Sequence, residues 1–442
     1  MHVRTVLLLV CAAAALRGDS ITDLKQSCSL ANLGTGKYWL IECLQQIFTA
    51  YPAHVKMGTI APGAGTLALG PTVSEILPIN RTEIDMSASA LLSTDTSWLL
   101  QGQAVFAIPA FGHAAHSGRR AGERGLLSEW AARRAQLDAD SSLTLRARVL
   151  DVKEQWYYGL GPSTSLSGLS KYSQKEADVE ADYNYPLADW NAVGLNAGFL
   201  HPRVAAPNSG ISIQSTYNAV TAPGLDLHDD FLRFEPYFTL RLPPRRSMSS
   251  VVHAGFSFYH DAGDQRFSFD RLSVSDISSI PLRIPSAGLA PTRGRAANFF
   301  CPSSRSGKHC SAGELALIGR LDATYTAGVS QAPFFFDPTL GGQDFQGNDT
   351  LRGFGDYRFR GPDRVLLQAE YRHPIWAVFG LVVFYDVGKV SLTPSDLALD
   401  HLRHDIGLGL EISVENHPIA RLYVAFGSGE PVQVQPRFGS LL

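Results

Sequence analysis

Two adjacent pairs, His260–Asp261 and His404–Asp405, are the residues of this 442-residue sequence whose types could carry acid–base chemistry. A histidine oriented by a carboxylate serves as a general base when the two side chains converge on one proton. Neighbours along a strand point to opposite faces, so each pair reads instead as polar residues at a strand end. Gly63, Gly65 and Gly70 lack the dinucleotide-binding spacing, and Gly34 to Lys37 lacks the first glycine of a phosphate loop. Neither Gly-x-Ser-x-Gly nor His-Glu-x-x-His occurs, and no metal-ligand cluster is present in the sequence. The expectation is a protein that is not an enzyme and holds neither metal nor cofactor.

The elements that must position side chains are strands. From about residue 60 onward the hydrophobic period is two: Ala177, Val179, Ala181, Tyr183 and Tyr185 alternate with Glu176, Asp178, Glu180, Asp182 and Asn184. Leu232, Phe234, Pro236, Phe238 and Leu240 oppose Arg233, Glu235, Thr239 and Arg241. Ile406, Leu408, Leu410, Ile412 and Val414 oppose Asp405, Gly407, Gly409, Glu411 and Ser413. The same dyad recurs in Glu83–Ala90, Trp98–Phe106, Leu143–Val149, Glu314–Tyr325, Val365–Arg372 and Ala420–Phe426. These runs are about ten residues long, the length of a tilted membrane-crossing strand, where soluble strands average about five or six. A soluble sandwich of such strands would leave exposed edges that a closed barrel removes. The fold class expected is all-β, a transmembrane antiparallel β-barrel of about 16 strands.

Composition excludes two other classes. The longest apolar runs, Val6–Leu16 and Trp376–Tyr385, fall short of the roughly 18 residues of a membrane-spanning helix. Lys+Arg of 38 against Asp+Glu of 41, locally mixed, gives no basic surface for nucleic acid. Residues 1–18 read as a signal peptide, with His2 and Arg4 before an apolar stretch and small residues at Ala13 to Ala15. Residues 19–58 read as a short periplasmic or plug segment with one helix over Tyr38–Phe48, and 59–442 as the barrel. The long connections near 108–141, 275–312, 339–362 and 389–403 are expected to share the extracellular side, although this alternation of sides fails between about 155 and 229. Export permits disulfides: Cys28, Cys43, Cys301 and Cys310 allow three connectivities, with Cys28–Cys43 and Cys301–Cys310 the local ones and free thiols the alternative.

Gly341 to Val390 is the informative stretch. It holds Gly341 and Gly342, a polar loop, then Leu351, Arg352, Gly353 and Phe354, a strand with Glu370, Tyr371 and Arg372, and finally Phe384, Tyr385, Asp386, Val387 and Gly388. It resembles the C-terminal half of the bacterial surface-antigen family of outer-membrane barrels, which includes the insertase BamA and its relative TamA. Leu351–Phe354 matches that family's hydrophobic-Arg-Gly-aromatic loop tip, and Phe384–Gly388 its Phe-x-Asp-x-Gly strand. Weaker likeness runs through Ile60–Gly70, Tyr157–Pro162 and the closing strands. The resemblance implies sixteen strands, a loop after the eleventh that folds into the lumen, and Arg352 at its tip meeting Asp386 on the thirteenth strand with Glu370 nearby. Parity agrees: Asp386 and Phe384 share one face while Leu381, Val383, Tyr385 and Val387 share the other, and Gln368, Glu370 and Arg372 oppose Val365, Leu367, Ala369 and Tyr371. Gly353 is expected to let the backbone turn tightly at the tip. The alternative is that Arg352, Glu370 and Asp386 are solvated lumenal charges without mutual contact.

The function the resemblance implies is insertion or translocation of proteins at the outer membrane, through imperfect pairing of the first and last strands. Pro431 and Pro436, which cannot donate to a ladder, are consistent with a weak closing segment. Expected partners are outer-membrane lipid, unfolded outer-membrane or secreted proteins and a separate periplasmic protein. The sequence departs from the family in two respects: residues 19–58 are too few for a periplasmic POTRA module, and the final aromatic, Phe438, precedes Leu442 by four residues. The first departure favours the alternative, a passive channel or structural barrel without insertase activity. A membrane-embedded hydrolase, the third class, has no nucleophile motif to support it.

Overall fold

The computed structural model describes residue 47 and residues 52–61, 67–79, 82–107, 141–188, 190–245, 248–263, 265–285, 309–328, 330–376, 379–414 and 417–438. Its strands are β1 (Ala53–Gly58), β2 (Ala68–Ile79), β3 (Thr82–Ser93), β4 (Trp98–Ala107), β5 (Ser142–Tyr157), β6 (Ser170–Ala188), β7 (Asn191–Ala205), β8 (Phe231–Arg245) and β9 (Met248–Asp261). There follow β10 (Phe269–Pro285), β11 (His309–Tyr325), the two-residue β12 (Thr339–Leu340) and β13 (Phe359–Arg360), β14 (Asp363–Trp376), β15 (Phe379–Ser391), β16 (Arg403–Val414), β17 (His417–Gly427) and β18 (Gln433–Phe438). Every alternating segment read from the sequence falls within one of them.

Sixteen strands form one antiparallel sheet in chain order, while β12 and β13 pair with each other between β11 and β14. β1 and β18 lie beside one another, with no ladder between them among the described residues. Side chains alternate as a barrel wall requires. Leu232, Phe234 and Phe238 of β8 are exposed on the outside while Phe231 and Tyr237 are buried inside, and on β16 Ile406, Leu408 and Leu410 face out while Asp405 and Glu411 are buried. His404 and Asp405, like His260 and Asp261, therefore take opposite faces. Asp261 closes the turn after β9 by accepting the amides of Gly263 (2.9 Å) and Phe267 (3.2 Å).

The expectation that the long connections share a side is corrected. Antiparallel order puts 158–169, 206–230, 326–362 and 392–402 at one end of the barrel. The connections spanning 108–140 and 286–308 join strands at the other end, as do the two-residue connections at 189–190, 246–247, 377–378 and 415–416. Loop length alone does not encode side, and the apparent failure between 155 and 229 came from giving 108–141 to the wrong end. Pro431 precedes β18, and Pro436 lies within it opposite Leu422. The signal segment, Cys28, Cys43, Cys301 and the side chain of Cys310 lie outside the described residues, as does the helix over 38–48 apart from Ile47.

The outward row makes a checkable demand. Leu408 lies midway along β16, exposed between Val383 and Val424. Leu408→Arg is expected to lower stability by about 2–4 kcal/mol in denaturant unfolding from lipid vesicles, as a cation at the bilayer midplane does.

Candidate functional site

The connection between β11 and β14 carries the site. Its hairpin starts at Gly341 (φ 106°) and Gly342 (φ 58°), a left-handed pair that residues with a Cβ rarely adopt. The Gly341 amide donates to Thr350 Oγ1 at 2.9 Å, and the Gly342 amide to the Leu351 carbonyl at 2.9 Å. Asp344 holds the hairpin's bend by accepting the amides of Gln346 (3.1 Å) and Asn348 (2.9 Å). Leu351 and Phe354 are fully buried and pack with Leu340, Phe359, Leu366 and Val390, which fixes the segment against the inner faces of β14 and β15.

Between them Arg352, 1% exposed, projects into the wall. Its Nε donates to Asp386 Oδ2 at 2.8 Å and its Nη2 to Asp386 Oδ1 at 2.7 Å, a bidentate fork. Its Nη1 donates to Glu370 Oε2, and its backbone amide reaches Asp386 Oδ2 at 3.3 Å. The guanidinium carbon lies 3.6 Å from the Phe384 ring centroid, and Tyr423 meets Phe384 edge-on at 5.3 Å. Strand register assembles the receptor: Gln368 lies opposite Asp386 and Glu370 opposite Phe384. Gln368 Nε2 bridges Asp386 Oδ1 (3.1 Å) and the Thr350 carbonyl (2.9 Å), while Arg372 Nε donates to Glu370 Oε1 at 2.5 Å. With Glu370 at 4% and Asp386 at 0% exposure, this is not a set of solvated charges.

The glycines act by close approach. The backbone turns tightly at Gly353 as expected, the Phe354 amide donating to the Leu351 carbonyl at 3.2 Å, but without a positive φ; glycine is required there by close approach. A Cβ there would lie 2.5 Å from Asp405 Cβ and 2.6 Å from the Gly427 nitrogen, so the loop backbone runs directly against β16 and β17. At Gly388 a Cβ would come within 2.8 Å of the Val365 carbonyl and 3.1 Å of Leu340.

Several residues in contact with this loop carried no motif. Arg358 bridges Glu430 (2.6 Å) and Thr164 (2.7 Å), joining two neighbouring connections. Arg360, 1% exposed, donates to the Phe334 carbonyl at 2.7 Å amid the rings of Tyr157, Phe334, Phe345 and Tyr357. Arg364 pairs with Asp322 at 2.8 Å and with Asp344 at 3.4 Å. From β18, Gln435 Nε2 donates to the Phe354 carbonyl at 3.0 Å, and Arg437 pairs with Asp349 at 3.2 Å and Asp356 at 3.5 Å. The one available signal was the recurrence of arginine through 352–364. Among the described residues no cluster of side chains could hold a metal ion.

The sheet and its inserted arginine loop define a class, the sixteen-stranded transmembrane barrel with a lumenal plug. Within that class, the fold is similar to that of BamA from Haemophilus ducreyi lacking POTRA domains 1–3, at TM-score 0.51 and 14% identity over 88% of this chain and 69% of that one. CdiB from Acinetobacter baumannii (TM-score 0.45, 10% identity, 87% of this chain and 57% of that one) and CdiB from Escherichia coli (0.45, 12%, 88% and 61%) are also similar. This chain spans less than two thirds of either CdiB. No protein-family model and no curated protein matches the sequence.

Two predictions follow from these contacts. Arg352→Ala strands the buried Asp386 and removes one of the two arginines on Glu370, and is expected to cost about 3–5 kcal/mol in denaturant unfolding, with Arg352→Lys recovering only part because an ammonium cannot make the fork. Asp337, in the connection and 2% exposed, has its carboxyl pushed up to about 7 by burial, against the opposing pull of Arg271 and Arg360. Folding therefore favours its neutral form, and that contribution is present below pH 3.8 and is lost as pH rises to about 7. Asp337→Asn is expected to flatten this slope, as read by unfolding midpoints at pH 4, 5.5 and 8.

Proposed function

We propose that this barrel acts in insertion or translocation of proteins at a bacterial outer membrane, without bond-breaking chemistry. The observation that carries the reading is the seam. β1 and β18 are six residues each and share no ladder among the described residues, whereas each other junction of the barrel is laddered. Parting such an edge breaks few hydrogen bonds and presents unpaired backbone to an incoming strand. The likeness of Gly341–Val390 to the surface-antigen family points the same way. The partners this reading calls for are outer-membrane lipid, unfolded outer-membrane or secreted proteins and a separate periplasmic protein. The second reading, a passive channel, draws on the lumenal wall of β5–β8, where Arg148, Glu176, Asp178, Glu180 and Arg233 form a charged lining.

The test is reconstitution. The barrel in liposomes is expected to speed folding of an unrelated unfolded outer-membrane protein over empty liposomes, and paired cysteines oxidised across β1 and β18 are expected to abolish the gain. A folded barrel that gives no acceleration, together with an ion conductance unchanged by Arg352→Ala, would establish the channel.

A further inference from the structure

The register of β4 to β7 aligns one row across four strands on the outside of the barrel: Trp98, Asp151, Lys175 and Arg203. Parity puts the row outward. On β6 Val179 and Tyr183 are exposed while Gln174 and Asp178 are buried, and on β7 Leu195 and Phe199 are exposed while Asn196 and Leu200 are buried. Directly below it lie Val149, Ala177 and His201, and then apolar rows: Ala147, Val179 and Phe199, then Leu145, Ala181 and Ala197, then Leu143, Tyr183 and Leu195. From Lys175 to Tyr185 the strand rises about 33 Å, or about 25 Å along the membrane normal at a tilt of about 40°, the height of a hydrocarbon band. The polar row is therefore the upper boundary of that band, at the end of the barrel that carries 158–169 and 206–230.

Lys175 and Arg203 are directly opposite, an arrangement of like charges that destabilises an antiparallel pair. The nearby carboxylates do not cancel it. Asp151 is shared, 2.6 Å from Lys153 and 3.9 Å from Lys175, and Asp230 pairs with Arg203 at 3.1 Å, so the three cations Lys153, Lys175 and Arg203 meet these two carboxylates and an excess of positive charge remains. Glu154, the next acid along β5, is taken by Lys171 at 2.6 Å. The Lys175 side chain remains 66% exposed.

We propose that this row binds the phosphate of a phosphorylated, multiply acylated lipid in the outer leaflet, seated between Lys175 and Arg203 with Lys153 beside them. A phosphomonoester dianion there neutralises the opposed cations and accepts their hydrogen bonds. Its acyl chains lie on the apolar rows below, and Trp98 sits at headgroup level, as interfacial indoles do. That continuity with the hydrocarbon band commits the site to a lipid-borne phosphate rather than the free anion. The inference rests on the outer-membrane reading only for the leaflet in which the lipid resides.

The test uses the barrel in phosphatidylcholine nanodiscs, with folding checked first by its heat-sensitive shift on gels; absence of that shift would overturn the membrane reading and this proposal with it, whereas a folded barrel that does not discriminate between lipids would overturn this proposal alone. Diphosphoryl lipid A, its dephosphorylated form and inorganic phosphate are then titrated by native mass spectrometry. Wild type is expected to bind diphosphoryl lipid A at least about tenfold more tightly than the dephosphorylated lipid. Lys175→Gln and Arg203→Gln together are expected to erase that difference, and inorganic phosphate is expected not to compete. Equal binding of both lipids by wild type, an unchanged preference in the double variant, or full displacement by inorganic phosphate would overturn the proposal. The comparison of lipids on wild type stands even where the double variant does not fold.

Discussion

A guanidinium withdrawn from water inside the barrel is the constraint on which the lumenal architecture depends. Burying an unpaired cation costs several kcal/mol, so Arg352 can occupy its position only where two carboxylates and an aromatic face meet it. Asp386, Glu370 and Phe384 meet it because register sets β14 and β15 to present them side by side. The burial of Asp386 in turn depends on the arginine, while Glu370 is held by Arg372 as well. Loop and wall therefore specify each other, and the plug has one seat in the barrel.

The rest of the connection extends that arrangement outward. Leu351 and Phe354 flank the arginine with apolar contacts, Arg358 and Arg360 carry the loop to the neighbouring connections and to an aromatic cluster, and Arg364 of β14 reaches Asp344 of the loop. Arginine suits this work because its donors reach carbonyls, carboxylates and ring faces at once. The outside of the barrel follows the opposite rule: apolar side chains stand in rows, with charge reserved for their margin.

What the sequence made legible follows from what is periodic or local. Two-residue alternation reveals strands because each half-polar run admits one arrangement of faces, and it placed Gln368, Glu370 and Arg372 together on the lumenal face. The Arg352 motif could be placed because its spacing to Asp386 resembles a known family. Loop side was not legible, since 108–140 is longer than every connection at the opposite end but 326–362. The turn at Gly353 was legible but its close approach was not: the strand it touches, β17 at Gly427, lies 74 residues away, and the meeting of two backbones leaves no periodic trace. Gln435 and Arg437 were missed for the same reason, being ordinary polar residues of a closing strand whose partners lie 81 and 88 residues away.

Those last two contacts carry a mechanical consequence. Most strands of the barrel are gripped along both edges by their neighbours, but β18 has a ladder on one edge only among the described residues. Its second hold is inward, to the Phe354 carbonyl and to Asp349 and Asp356 on the plug. The plug thus works as a tie-rod: a shift of the Arg352 segment in its seat is felt first at the free rim of the wall, without travelling round the barrel through any intervening strand.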